Sequence, residues 1–118
     1  MKERSRQVRI NEMLEDVRKH LGNLKDDLKN DSMQKTELWN TYAKLEYAIL
    51  LVKLDNNFET AGGFQYSKLD KTSEAEILEL AINHLETGKK AFNAGNVKRA
   101  IDDLRKARDT LKFLVLKY

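Results

Sequence analysis

Six apolar residues, Ile10, Leu14, Val17, Leu21, Leu24 and Leu28, recur at alternating intervals of four and three. That interval returns a side chain to one line of an α-helix at every turn, whereas a strand repeats every second residue. Charged residues, among them Glu12, Glu15, Asp16, Arg18, Lys19, Lys25 and Asp26, fill the outward positions. The seam is therefore narrow, a width that suits one groove or one partner helix. Gly22 falls outside the seam and costs about 1 kcal/mol against Ala, so this helix leans on tertiary contacts.

The 118 residues contain no proline and only five glycines, so little interrupts helix formation elsewhere. A second series, Leu38, Tyr42, Leu45, Ile49 and Val52, continues the first in register. Between them, the polar cluster Lys29-Asn30-Asp31-Ser32 offers capping side chains ahead of Gln34 and Glu37. That chemistry favours a hairpin, with one long helix from about residue 5 to residue 55 as the alternative. Trp39, Ala43, Ala48, Leu50 and Leu51 widen the apolar side of the second helix, which predicts that it forms the centre of the bundle. Trp39, Tyr42 and Tyr47 are expected in a core or an interface.

From Asp55 to Thr72 the periodicity lapses around Gly62-Gly63, Phe64 and Tyr66, which reads as a long loop. Ser73 with Glu76 has capping-box spacing, and Ile77, Leu78, Ala81, Ile82, Leu85 and Phe92 form a third apolar stripe. Gly95 stops that helix and Asn96 caps a fourth, which carries Val97, Ala100, Ile101, Leu104, Ala107, Leu111, Leu114 and Val115. The expected fold is all-α: a four-helix antiparallel bundle with helices over about 5–29, 33–55, 74–94 and 97–117. A loop at 56–72 completes one domain spanning 1–118, with residues 1–8 expected as a basic arm.

Chemistry is sparse. Without cysteine there are no disulfides, thiolate metal sites or thiol nucleophiles, and a reducing compartment is permitted. The longest nearly apolar run, Tyr47 to Leu54, is far short of the roughly 20 residues of a membrane span. The opening Met1-Lys2-Glu3-Arg4-Ser5-Arg6 leads into no apolar stretch of a signal peptide, so a cytoplasmic protein is expected. A carboxylate-bridged metal pair needs Glu-x-x-His on two helices, but Val17 and Ala81 stand three before His20 and His84. Each histidine reads as a solvent-edge residue rather than a general base. Gly62-Gly63 lacks the lysine and hydroxyl of a phosphate loop. No cofactor or metal is implied.

The stretch Ala91-Phe92, Gly95-Asn96-Val97, Ala100-Ile101, Leu104 and Ala107 resembles a single helical hairpin of tetratricopeptide repeats, over about residues 85–110. In that family small residues let two antiparallel helices approach and a glycine permits the turn. The family's proline is missing, with Lys112 in its region, and no second copy lies upstream, whereas stable arrays need about three units. The hairpin is also similar to the helical domains of the HEPN group. Its ribonuclease members separate an arginine from a following histidine by four to six residues; neither His20 nor His84 has an arginine at that spacing before it, so that activity does not carry over.

Charge is uneven: residues 1–9 carry a net +3, residues 98–118 a net +4, and the middle −4. Lys98, Arg105 and Lys112 recur every seven residues on one face of the last helix, with Arg108 beside them. Such a line of cations could follow a phosphate backbone, although Asp102 and Asp109 fall at pairing distance along the helix. Two functions are expected from this sequence. The first is a non-enzymatic interaction or scaffold module that forms a homodimer through Ile10, Leu14, Val17, Leu21, Leu24 and Leu28. The second is a small RNA-associated, nucleic-acid-binding protein using Lys98, Arg105, Arg108, Lys112 and the basic arm.

Overall fold

The computed structural model describes residues 2–29, 35–56 and 73–117. Four helices account for nearly all of them: α1 (Lys2–Lys29), α2 (Lys35–Asn56), α3 (Glu74–Asn93) and α4 (Val97–Lys117). The all-α four-helix bundle expected from the periodicity is the fold. The hairpin holds against the single long helix, because α1 and α2 are separate helices packed side by side. The loop expected at 56–72 lies outside the described residues, apart from Asn56, where α2 ends.

Helix ends follow their local chemistry. Ser73 Oγ accepts a hydrogen bond from Glu76 N at 3.2 Å, opening α3. At the other end Gly95 takes φ +84°, a left-handed conformation that a side chain disfavours. Asn96 N donates to Ala91 O at 2.9 Å and Gly95 N donates to Phe92 O at 3.1 Å, the paired bonds of a Schellman motif. Asn96 Oδ1 then accepts from Arg99 N at 3.3 Å and starts α4. α1 begins at Lys2, three residues earlier than periodicity indicated, so residues expected as a loose arm are taken into its first turns.

Cross-helix pairs fix the directions. Lys44 lies 3.7 Å from Asp16 and His20 3.8 Å from Glu37, so α2 runs antiparallel to α1. Asn11 with Asn93, Arg18 with Glu86 and Lys25 with Glu79 make α3 antiparallel to α1. The extensive contacts are α3 with α4, α2 with α4, α1 with α2 and α1 with α3, which sets α1 opposite α4 and α2 opposite α3. Consecutive α2 and α3 are thus parallel and diagonal, while each pair of adjacent helices is antiparallel.

One stripe of each helix fills the centre. Ile10, Leu14, Val17, Leu21 and Leu24 meet Leu38, Leu45, Ile49 and Val52 of α2, and the α3 and α4 stripes close around them. The expectation that α2 forms the centre is corrected. It occupies one corner, contacts only α1 and α4 substantially, and leaves Trp39, Tyr47, Leu50 and Leu54 exposed. A corner helix has one inward side, and α2 carries apolar residues on two.

A candidate interaction groove between α2 and α4

The inward stripe of α2 is Leu38, Leu45, Ala48, Ile49 and Val52, all buried. A separate series, Trp39, Ala43, Tyr47, Leu50 and Leu54, advances by four, four, three and four and lies on the opposite side of the same helix. Its large members are exposed: Trp39 46%, Tyr47 43%, Leu50 50% and Leu54 64%. From Trp39 to Leu54 the stripe runs about 22 Å at the α-helical rise. Trp39 meets Tyr42 edge-on, with ring centroids 6.0 Å apart, and the Arg9 guanidinium sits 6.0 Å from the Tyr47 ring centroid.

An open cleft of about 400 Å³ adjoins this stripe, lined by Ala43, Glu46, Tyr47, Ile49, Leu50, Lys53 and Arg108. Its α4 wall is basic. Arg108 donates to Asp109 Oδ1 from Nε at 3.1 Å and from Nη2 at 3.0 Å, and its Nη1 lies 3.9 Å from Glu46. Burial first, then the Arg105 and Arg108 guanidiniums, push the Lys53 pKa down, with Glu46 opposing. Burial and the Glu46 carboxylate raise that of the Tyr42 phenol, against Arg108. Arg105 Nε is shielded from solvent and donates to no acceptor among the described residues.

The residues singled out from the sequence divide between core and groove. Ile10, Leu14, Val17, Leu21 and Leu24 are between 0% and 1% exposed, and Leu28 is half-buried against the same core. The seam is filled by the chain's own α2 and α3, so it presents no surface to a second copy. Lys98 and Lys112 are exposed, Arg105 is half-buried, and Arg108 is held by Asp109 and Glu46. With Arg105 and Arg108 beside Lys53, the seven-residue register puts the whole basic line on the α2 side of α4. Sequence reasoning missed the second α2 stripe by merging it with the first. The signal was present as two series, each with its own helical spacing.

Elsewhere ion pairs join α1 to α3, while Asn11 Oδ1, His20 Nδ1 and Asp103 Oδ2 are buried without a hydrogen bond among the described residues. Glu15 pairs with Lys89, Arg18 with Glu86 at 2.8 Å and Lys25 with Glu79, lacing α1 to α3 around a cleft of about 310 Å³. His84 is half-buried, its pKa lowered by burial and by Lys106 against the opposing Asp103 carboxylate. Among the described residues, no three His, Cys, Asp or Glu side chains gather as metal ligands, and no helix is long and apolar enough to cross a membrane. No family model, curated protein or solved structure matches the chain.

Proposed function

We propose that this chain is a non-enzymatic helical interaction module that receives an amphipathic helix of a partner protein along the outer side of α2. The observation that carries the reading is the exposed series Trp39, Ala43, Tyr47, Leu50 and Leu54 beside an open cleft. Contiguous apolar surface on a helical bundle marks an interaction site, and a straight stripe of this length suits a helix laid into a groove. Self-association through the α1 seam would require a second copy to displace α2 or α3 from Leu14 and Leu21, which are 0% exposed. The basic line of α4 favours a second reading, nucleic-acid binding through Lys98, Arg105 and Lys112. That reading is weakened by the two carboxylates that engage Arg108.

The test uses Trp39, the sole tryptophan, as a reporter. A helical peptide of about 16 residues, with a leucine stripe and glutamine flanks, matches the stripe's length. Saturable change in Trp39 emission is expected on titration, and Leu50→Glu, at an exposed position and so compatible with the fold, should abolish it. An unresponsive wild-type protein, or equal binding by Leu50→Glu, would overturn the reading.

A further inference from the structure

The two edges of the α2 stripe differ in charge. On the α1 edge Lys44 is answered by Asp16 at 3.7 Å, and Arg9 rests on the Tyr47 ring. On the α4 edge Glu46 and Asp109 are both engaged with Arg108. Among the described residues Lys53 and Arg105 make no ion pair: the two guanidiniums outweigh Glu46 at Lys53, and Arg105 Nε is shielded without an acceptor. Lys98 and Lys112 extend this edge by helical register, one on either side of Arg105. Positive charge left uncompensated among the described residues beside an apolar stripe is complementary to negative charge on whatever covers that stripe.

Other occupants fit less well. A second copy docked by a two-fold axis would set this cationic edge against its own twin, because the same flank meets itself in an antiparallel helix pair. A bilayer would call for cations along both edges, and on the α1 edge Lys44 is answered by Asp16 while Arg9 lies against the Tyr47 ring. Single-stranded nucleic acid stacks on successive open ring faces, yet one side of Tyr47 carries Arg9, and Leu50 and Leu54 offer no stacking surface.

Resting on the docking role proposed above for α2, we infer that the partner is an acidic amphipathic helix: its apolar face covers Trp39, Ala43, Tyr47, Leu50 and Leu54, and Glu or Asp residues along one flank meet Lys53 and Arg105. The cationic edge fixes which flank faces α4, and it steers the encounter over distances comparable with the Debye length.

Three peptides with the same leucine stripe, carrying Glu, Gln or Lys on the flank, separate this inference from the docking reading itself. The full chain is titrated with each, following Trp39 emission at low and high salt. The Glu peptide should bind at least about tenfold more tightly than the Gln peptide, and the advantage should shrink as salt rises. Lys53→Glu with Arg105→Glu should reverse the order in favour of the Lys peptide. A double variant with an altered helical circular dichroism spectrum is replaced by Lys53→Gln, expected to lose part of the preference. Equal binding of all three peptides would overturn the acidic partner and leave the docking face standing. Absence of binding by any peptide would overturn both. A dimer in light scattering that Leu50→Glu dissociates would assign the face to a second copy. Salt-sensitive binding of a short RNA or of anionic phosphatidylserine vesicles, without Glu-peptide binding, would replace the acidic helix with those anions.

Discussion

At Gly88 the α3 and α4 backbones come close enough that hydrogen is the only side chain the site admits. A β-carbon built there would stand 2.8 Å from Leu104 Cγ and Cδ2 and 3.2 Å from the Leu104 backbone nitrogen. Alanine would gain about 1 kcal/mol in helix propensity, but overpacking a filled interface costs about 1–3 kcal/mol. Gly88→Ala is therefore expected to lower stability, by roughly 1 kcal/mol net. Gly22 is the control, since its nearest neighbour is the mobile Arg18 Nη1 at 3.4 Å. Gly22→Ala should raise stability by about 0.5–1 kcal/mol, and urea midpoints of the two variants should move in opposite directions. His84 belongs to the same scale. Its folded pKa lies below the unfolded value of 6.5, because burial and Lys106 penalise the imidazolium. The unfolded chain thus binds the extra proton first, and stability falls as pH drops through about 6.5 towards the folded pKa. Glu79 acts in the same direction at lower pH: the Lys25 ammonium lowers its pKa, so the stability it contributes is lost as pH falls below the unfolded value of 4.5. Between about pH 7.5 and pH 5, His84→Gln should lose less urea resistance than the wild type, and an equal loss would remove His84 as the cause.

Among the helices, α1, α3 and α4 were legible because each carries one apolar side. Periodicity, the Ser73 cap and the Gly95 turn placed most of their ends within a few residues. The position of α2 was not legible, because apolar residues around most of a helix describe equally a buried helix and a corner helix with a second partner. Only the packing decides, and it sets Leu45 and Ile49 inward and Leu50 outward. The α1 seam shows the same degeneracy from the other side. The spacing of Leu14, Leu21 and Leu28 demands an apolar neighbour and is silent on whether that neighbour belongs to the same chain. Of the candidate groove, the sequence contained the cationic half, since Lys98, Arg105 and Lys112 share a register. What it could not supply was the diagonal arrangement that turns that register towards α2 rather than into open solvent.

For the whole molecule, the contacts are unequal in a way that predicts where it opens. The α3–α4 pair is the most extensive, its axes brought together by Ala81, Gly88, Ala100 and Ala107, and a short turn joins the two helices. Contacts between sequence neighbours cost little loop-closure entropy, so this hairpin is the unit expected to persist longest. α1 is tied to it by the lacing of Glu15, Arg18 and Lys25 to α3. α2 has thinner contacts with α1 and α4 than α3 and α4 have with each other, and among the described residues much of its outer side is exposed. Native-state hydrogen exchange should accordingly show α3 and α4 amides opening only with global unfolding, while amides between Trp39 and Leu54 open at a lower free energy. Equal protection in all four helices would make the bundle a single cooperative unit and refute this ranking. Occupation of the groove adds a sharper expectation. A ligand that binds only the closed form stabilises it by mass action, so saturating Glu peptide should slow exchange in α2 more than in α3. That gain in protection would tie the opening of α2 to the surface it exposes.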